Sequence, residues 1–295
     1  MTGAARLREL IGGDKIVVAP GVYDGLSARI VEAAGFSAVY CSGGAVARST
    51  GVPDLGLLTM TEVLTRLREV IDATALPVIA DGDTGYGNAV NVTRTVHEFE
   101  RLGAAAIHLE DQVAPKKCGH YEGQRLISAG EMVQKLRAAL ETRREMLVIA
   151  RTDARGQAGL DEAIRRGRLY AEAGADIIFV EAPTSREELE TIARSIDAPL
   201  LVNMFEGGRT PLIPSADLAA MGYRLMVVPS DLQRAAIRAM QEVAEILHRD
   251  GSSAALRDRL ATFPERDQVV GLERWTELDE RYTDTGLAGS DPAGG

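Results

Sequence analysis

The sequence is poor in cysteine, lysine and aromatic residues. Its 295 residues include two cysteines and four lysines, and aromatic residues make up 4%. Two cysteines do not make a disulfide framework in a chain of this size. No apolar run approaches the roughly 20 residues of a membrane-spanning helix. The opening stretch MTGAARLRELIGGDK lacks the long apolar core of a signal peptide or anchor. We therefore expect a cytoplasmic protein with no membrane contact.

The charge balance is acidic. The chain carries 33 basic and 43 acidic residues, which gives a formal net charge of −10. Proteins that bind nucleic acids or anionic membranes need a basic face, so this balance argues against both kinds of partner. A small-molecule partner is the remaining expectation.

Short apolar runs alternate with helical patterns along most of the chain. Strands that read as continuous apolar runs, each followed by a helix, indicate a parallel sheet buried on both faces. Eight such units predict a (β/α)₈ barrel. A doubly wound open sheet is the alternative, but no clear dinucleotide-binding fingerprint supports it. The predicted strands are 16–19, 38–41, 77–80, 106–109, 146–150, 176–180, 199–202 and 224–228.

The pattern changes near residue 250. We predict a barrel over 1–250, with its active site at the C-terminal ends of the strands, and a helical extension over 251–285 with helices at 252–260 and 268–281. The extension follows a complete barrel, so we expect it to pack across the barrel or onto a neighbouring subunit. The last stretch, 286–295, has the composition of a disordered tail.

One segment, 106–120, combines an apolar strand with unusual polar residues. The strand ends in Glu110 and Asp111, a lysine pair follows in the loop, and then come Cys118 and His120. Neighbouring cations lower the pKa of a thiol and increase its thiolate fraction. The segment therefore predicts a functional thiol. The alternative is a solvated basic loop with an incidental cysteine.

Polar residues also follow the other predicted strands. A barrel enzyme places its reacting groups at the C-terminal strand ends, and period-two alternation puts alternate residues on one face. Converging carboxylates without a histidine or cysteine cluster predict Mg²⁺, with Mn²⁺ as the other candidate ion. A network of acids around an arginine is the alternative. The expected ligands are Asp81, Asp83 and Glu110, some through water, with Asp54 acting from outside the inner ligand set.

A glycine pair follows the second predicted strand in Ser42-Gly43-Gly44. Glycine leaves backbone N–H groups open to a ligand, so this turn predicts a binding site for a substrate carboxylate.

These motifs resemble the isocitrate lyase/phosphoenolpyruvate mutase superfamily. The resemblance runs from residue 7 to about 282 and rests on SGG, DGDTGYGN, PKKCGH, ARTDA, VEAP and NMFEGGRTPL, which follow strands two to seven in order. The KKCGH segment resembles the carbon–carbon lyase branch, which includes 2-methylisocitrate lyase, 2,3-dimethylmalate lyase and the petal-death protein. NMFEGGRTPL is closer to the dimethylmalate group, whereas SGG and Pro229 are closer to methylisocitrate lyase.

The resemblance implies a Mg²⁺-dependent lyase. Such an enzyme cleaves a 2-hydroxy di- or tricarboxylate to a 2-oxo acid, such as pyruvate, and a carboxylic acid. Cys118 would be the general acid that protonates the departing carbon, and His120 and Glu181 would orient its thiol. Arg151 would stabilise developing charge, and Tyr40 or a metal-linked acid is the candidate for taking the hydroxyl proton.

The resemblance also implies a substrate-binding set and an assembly. A homotetramer with C-terminal helices exchanged between neighbouring subunits is expected. The substrate-binding residues implied are Ser42, Gly43, Gly44, Asp81, Lys116, Gly119, Arg151 and Asn203.

Three alternatives remain. The first is an oxaloacetate acetylhydrolase, which would form oxalate and acetate. The second is a phosphonate-forming or phosphonate-cleaving mutase, which Gln112 and Cys118 disfavour because mutases of this superfamily have a different loop. The third is a barrel that binds a metabolite without catalysis.

Overall fold

A computed structural model of the chain describes residues 1–121 and 123–283. Eight parallel strands close into a barrel in chain order, and the first strand pairs with the eighth. The predicted (β/α)₈ barrel is confirmed, while the predicted tail at 286–295 lies outside the described residues. The strands are β1 Val17–Val22, β2 Val39–Cys41, β3 Val78–Asp81, β4 Ala106–Glu110, β5 Leu147–Thr152, β6 Ile177–Val180, β7 Leu200–Asn203 and β8 Tyr223–Val228.

Helices separate the strands and continue beyond the barrel. Within the described residues no helix is both long and apolar enough to cross a membrane. The helices are α1 Gly3–Ile11, α2 Gly25–Ala33, α3 Gly43–Ser49, α4 Met60–Ala73, α5 Ala89–Leu102, α6 Ala129–Thr142, α7 Ala154–Ala158, α8 Leu160–Glu172, α9 Arg186–Ser195, α10 Ser215–Met221, α11 Asp231–Asp250, the 3₁₀ helix Ala254–Arg259, α12 Phe263–Val270 and α13 Leu272–Tyr282.

Local sequence sets the helix ends. At the start of α4 the Thr59 hydroxyl accepts the Glu62 N–H, and the Glu62 carboxylate accepts the Thr59 N–H at 2.7 Å. This reciprocal capping satisfies two N–H groups that have no partner within the helix. Helix α5 ends at Gly103, whose φ of +105° turns the chain directly towards β4.

Alternation along each strand divides the core into two layers. Leu147 and Ile149 of β5 are buried in a cluster that also includes Leu7 of α1, so α1 covers the N-terminal end of the barrel. Val148 and Ala150 belong to the larger cluster formed with the surrounding helices. Each fully buried aliphatic side chain contributes about 1.5–3 kcal/mol. The apolar interior fills the lower barrel and leaves the C-terminal end for polar residues.

The helices beyond the barrel differ from their prediction. A single helix over 268–281 is wrong, because Gly271 adopts φ +67° and ends α12 one residue before α13 begins. The segment predicted as a helix at 252–260 contains the 3₁₀ helix Ala254–Arg259. Residues Met1–Gln241 form one compact unit, and a second begins at Glu242. The boundary at 250 stays a prediction.

A buried carboxylate directly after β4 ties the strands to α8. Asp111 is fully buried, and its oxygens accept hydrogen bonds from the Thr152 hydroxyl at 2.8 Å and the Asp153 N–H at 3.0 Å. Arg166 and the Tyr170 hydroxyl of α8 each donate to the same carboxylate at 2.8 Å. Asp111 therefore satisfies donors from two elements at once.

We predict that Asp111→Ala destabilises the fold strongly. Removing the buried carboxylate leaves Arg166 with only Glu162 as its acidic partner and leaves the Thr152 and Tyr170 hydroxyls without an acceptor, at a cost of about 3–5 kcal/mol. Asp217→Ala is the control, because Asp217 is 43% exposed and pairs with Arg186 on the surface. Its loss should cost less than about 1 kcal/mol. Urea unfolding midpoints measure both, and equal midpoints for the two variants would contradict the role given to Asp111.

Candidate active site

A cavity of about 480 Å³ opens among the C-terminal ends of the strands. Three predicted site residues, Gly43, Asp83 and Glu110, are not part of its wall but contact residues that are. The other predicted residues line it: Tyr40, Ser42, Gly44, Asp54, Asp81, Lys116, Cys118, Gly119, His120, Arg151, Glu181 and Asn203. The barrel therefore brings together residues from seven strand ends and loops, although their roles stay predictions.

Arg151 at the end of β5 is surrounded by acids. Its Nε and Nη2 donate to the two oxygens of Asp153 at 2.9 and 2.8 Å. Glu110 Oε2 lies 3.4 Å from the same Nε, and Glu181 Oε2 lies 3.3 Å from Nη1. The guanidinium also lies over the Phe179 ring, 5.2 Å from its centre. Arg151 is thus a fixed positive charge on the cavity floor.

Glu181, at the end of β6, carries its negative charge in the folded protein. His120 Nε2 lies 3.1 Å from Glu181 Oε1, and Asn203 Nδ2 lies 3.4 Å from Oε2. Burial raises the pKa of Glu181, but Arg151 and His120 outweigh it and lower this pKa to about 2. The His120 ring packs edge-on against Phe205, with centres 4.6 Å apart. Glu181 therefore holds His120 beside Cys118.

Asp81 connects β3 with β2 and the turn after it. Its carboxylate accepts hydrogen bonds from the Tyr40 hydroxyl and the Gly43 N–H, both at 3.1 Å. Burial opposes its ionisation, but His108, Lys116 and Arg151 lower the pKa of Asp81 to about 2. Since the Gly43 N–H is engaged by Asp81, the Ser42-Gly43-Gly44 turn offers fewer free donors than its glycines indicate.

Lys116 lies between two acids beside the cavity. Its Nζ donates to Asp54 Oδ1 at 2.6 Å and lies 3.0 Å from Asp83 Oδ1. Burial lowers the pKa of Lys116, but the surrounding carboxylates raise it well above the ordinary value. The lysine is therefore charged and compensates acids that come from two other loops.

Asp54, Asp81, Asp83 and Glu110 form a carboxylate cluster, and these acids outnumber the two cations, Lys116 and Arg151, that contact it. Burial, with the nearby charges of Asp81 and Glu110, raises the pKa of Asp83 to about 7 despite Lys116. Burial also raises the pKa of Glu110, and Glu110 Oε1 is buried without a hydrogen-bond partner. Unsatisfied carboxylate oxygens are the donor type that Mg²⁺ prefers.

The described residues fit a magnesium ion that keeps water ligands. No group of three His, Cys, Asp or Glu side chains in those residues is already arranged to hold a metal by itself. Magnesium is commonly bound through one or two carboxylates with several waters, so a complete protein cage is not required. Asp81, Asp83 and Glu110 all carry carboxylates, so the predicted ligand set meets this condition.

The thiol of Cys118 departs from its expected state. Its pKa is raised rather than lowered, chiefly by burial, with Asp54 and Glu181 adding to the effect and the His120 N–H and Arg151 opposing it. Lys116 points to acids instead of the thiol. The expectation of a cation-activated thiolate is therefore wrong, and the thiol is held in its protonated form.

Two glutamines hold the backbone on either side of this thiol. The Gln112 amide donates to the Lys117 carbonyl at 2.8 Å and accepts the Lys117 N–H at 2.9 Å. Gln124 donates to the Cys118 carbonyl at 2.8 Å and is itself held by Gln157 at 2.6 Å. Sequence reasoning gave these glutamines no structural role, because nothing in the local pattern marks their partners.

The cavity wall also contains residues that were not predicted as site residues. Arg48 of α3, Phe205, Arg234 and Ile237 line it. Phe205 follows β7 within NMFEGGRTPL, a motif noted only as a family likeness. Nothing in the sequence marked Arg48, Arg234 or Ile237 as site residues, since surface helices commonly carry such side chains.

A closed barrel with one thiol, a buried arginine and several carboxylates at its C-terminal strand ends defines an enzyme that acts on a small anionic molecule. The family model described as phosphoenolpyruvate phosphomutase matches residues 7–248. The chain belongs to the phosphoenolpyruvate mutase/isocitrate lyase superfamily, as its motifs predicted.

Two curated relatives are lyases. The chain is 47% identical to the 2,3-dimethylmalate lyase of Eubacterium barkeri, over 96% of this chain and 99% of that protein. It is 46% identical to the 2-methylisocitrate lyase of Aeropyrum pernix, over 92% of this chain and 89% of that protein. The predicted carbon–carbon lyase class is confirmed at this level.

Solved structures agree with this placement. A 2,3-dimethylmalate lyase superposes with TM-score 0.91 at 38% identity, covering 99% of both chains. An oxaloacetate acetylhydrolase in complex with 3,3-difluorooxalacetate superposes with TM-score 0.90 at 35% identity, covering 99% of this chain and 98% of that one. A phosphonopyruvate hydrolase bound to oxalate and Mg²⁺ gives 0.88 at 32%, covering 96% and 100%.

We predict that Gly119→Ala disables the site without unfolding the protein. A Cβ at Gly119 would lie 2.4 Å from Arg151 Nη2 and 2.8 Å from Asp153 Oδ1, so the loop or the guanidinium must move. A displacement near 1 Å at reacting groups costs on the order of 100-fold in rate. Gly130→Ala is the control, because the nearest atom to its added Cβ is 3.9 Å away. Steady-state kinetics and thermal unfolding check both, and an active Gly119→Ala enzyme would contradict the close approach.

Proposed function

We propose that the protein is a Mg²⁺-dependent lyase that cleaves the C2–C3 bond of a 2-hydroxy di- or tricarboxylate. The products are a 2-oxo acid, such as pyruvate, and a carboxylic acid. One observation carries the proposal: the Cys118 thiol, with a raised pKa, lines the same cavity as Arg151 and the carboxylate cluster. The names of the two lyase relatives support the same reaction class.

The protonated thiol matches the acid that this cleavage needs. When the 2-hydroxyl loses its proton, the C2–C3 bonding pair moves to C3 and forms an enolate-type carboxylate. Cys118 donates its proton to that carbon, and in the reverse direction its thiolate removes it. His120, paired with Glu181, lies two residues from the thiol and orients it. The loop that carries the thiol excludes water while the charge is present.

Tyr40 is the candidate for accepting the hydroxyl proton. Burial raises the pKa of Tyr40 well above its ordinary value, so the phenol keeps its own proton in the free site. It can accept the hydroxyl proton only as its own passes to a hydrogen-bonded neighbour. Its hydroxyl donates to Asp81 at 3.1 Å and lies 3.2 Å from His108 Nδ1. His108 is the better base of the two, because the pKa of Asp81 is lowered to about 2 whereas that of His108 is raised.

Positive charge and backbone donors hold the substrate carboxylates. Arg151 at the end of β5 and Asn203 at the end of β7 provide charge and an amide donor, and the Gly44 backbone lines the same cavity. A bound Mg²⁺ supplies Lewis-acid stabilisation of the negative charge that develops as the bond breaks. Asp81, Asp83 and Glu110 would hold the ion, with Asp54 acting through water.

The proposal includes a homotetramer in the cytoplasm with exchanged C-terminal helices, which follows from the family resemblance. The net charge of −10 supports the expectation of no nucleic-acid partner. Oxaloacetate acetylhydrolase is a second candidate, favoured by the TM-score of 0.90 to that enzyme.

The direct test is product analysis. Purified protein with Mg²⁺ is incubated with 2-methylisocitrate, 2,3-dimethylmalate, oxaloacetate and isocitrate, and products are identified by mass. Cys118→Ser should lower kcat about 10²–10⁴-fold, because a serine hydroxyl is too weak an acid. The loss should appear equally in kcat/KM, since the interaction is made in the transition state.

Cys41→Ala is the matched control. Cys41 is fully buried in the core, burial raises its pKa to about 12, and it is not part of the cavity wall. Its replacement should leave the rate near that of the unaltered enzyme. A Cys118→Ser enzyme with near wild-type kcat would reject the thiol as the acid, and oxalate among the products would favour the hydrolase.

The metal assignment has a separate test. EDTA should abolish turnover, added Mg²⁺ or Mn²⁺ should restore it, and Mn²⁺ binding followed by electron paramagnetic resonance should be lost in Asp81→Ala. Glu190→Gln, which alters an exposed ion pair with Arg186, is the control and should bind Mn²⁺ normally. Full activity in the chelated enzyme would reject a metal requirement.

A further inference from the structure

Arg48 is a cavity arginine without an acidic partner. It lies on α3 and lines the cavity, and its Nε donates to Gln233 Oε1 at 2.9 Å. Within residues 1–121 and 123–283 its guanidinium forms no ion pair, whereas Arg151 and Lys116 each contact acids. A guanidinium that faces a cavity and has no anionic partner is suited to bind an anionic ligand there.

Gln233 fixes the direction of this arginine. It is 5% exposed, and its amide donates to the Ala45 carbonyl at 2.7 Å while its oxygen accepts the Arg48 Nε. Both ends of the amide are therefore satisfied between α3 and α11. Because Nε is engaged, the two Nη groups of Arg48 remain available for a ligand.

The Nη groups lie against the glycine turn. A Cβ at residue 44 would be 3.3 Å from both Nη1 and Nη2 of Arg48, so the guanidinium approaches the backbone closely because Gly44 has no side chain. Asp54 Oδ2 lies on the same side, 2.8 Å from that Cβ position, but Lys116 compensates the charge of Asp54. Arg48 therefore adds a positive charge to the cavity wall beside the glycine turn.

A planar guanidinium with two free Nη groups matches a carboxylate in bidentate geometry. The two candidate substrates share the half that forms pyruvate. They differ in the substituent on the neighbouring carbon, which is methyl in 2,3-dimethylmalate and carboxymethyl in 2-methylisocitrate. Sequence identities of 47% and 46% to the corresponding lyases do not separate them.

We propose that Arg48, positioned by Gln233, binds a third carboxylate remote from the cleaved bond. The substrate class is then a 2-hydroxy tricarboxylate of the 2-methylisocitrate type. This inference rests on the proposed lyase function and specifies its substrate.

The kinetic test compares two substrates in each variant. The ratio of kcat/KM for 2-methylisocitrate to that for 2,3-dimethylmalate should fall about 10–100-fold in Arg48→Ala, the effect of one charge-assisted hydrogen-bonded pair. Gln233→Leu should lower the ratio in the same direction and Arg48→Lys should restore part of it. Arg234→Ala is the matched control, since that arginine also lines the cavity but already donates to the Glu206 carbonyl. An unchanged ratio in Arg48→Ala, or an equal change in Arg234→Ala, would overturn the inference.

A binding test separates this inference from the lyase proposal. Tricarballylate and methylsuccinate differ by the same carboxymethyl-for-methyl change, and neither has the hydroxyl needed for cleavage. With Mg²⁺ present, calorimetry should show tighter binding of tricarballylate, and Arg48→Ala should remove that preference. If the preference disappears as expected while neither hydroxy acid is turned over, the lyase proposal fails and the carboxylate subsite stands. If Arg48→Ala keeps the preference, the subsite is wrong whatever the enzyme cleaves.

Discussion

Buried charge is the constraint on which this site depends. Ions removed from water are tolerated in a protein only when opposite charges and hydrogen bonds compensate them. Arg151 satisfies this condition through Asp153, Glu110 and Glu181, and Lys116 through acids of two further loops. All of these pairs except Arg151 with Asp153 join segments that are distant in sequence, so the network that neutralises the charges also sets the positions of the groups around the cavity. The acids that lack full compensation are the groups that we propose hold the Mg²⁺ ion.

The same burial gives the thiol its chemical character. A solvated loop with two lysines would favour a thiolate, whereas the folded loop directs Lys116 to Asp54 and leaves Cys118 buried near the carboxylates of Asp54 and Glu181. A thiol that keeps its proton suits protonation of a carbanion, and a thiolate would suit attack on an electrophile. The two glutamines that bind the backbone around Cys118 maintain this geometry with neutral groups. They add no charge that would shift the balance.

Periodicity in the sequence was enough to predict the barrel and most of the polar strand ends. Apolar runs reveal parallel strands, and alternation identifies which acids share a face, so Asp81, Glu110 and Arg151 were found from local pattern alone. Contacts between distant segments were not predictable. Arg48 and Gln233 are 185 positions apart, and only the closed barrel brings them together. The ion pair of Lys116 with Asp54 also joins distant segments. For this reason the pKa shift of the Cys118 thiol was predicted in the wrong direction. In the sequence Gly271 is a single residue of low helix propensity within a helical pattern. Its positive φ, which separates two helices, is visible only in the structure.

The two acids at the end of β4 limit how this enzyme can evolve. Glu110 points to Arg151, while Asp111, the next residue, points outward to Arg166. A one-residue slip in a strand exchanges its two faces. An insertion or deletion anywhere in Ala106–Glu110 would therefore separate Glu110 from Arg151 and break the attachment of α8 in a single event. Two separate contacts, one inside the barrel and one outside it, therefore constrain the length of this strand.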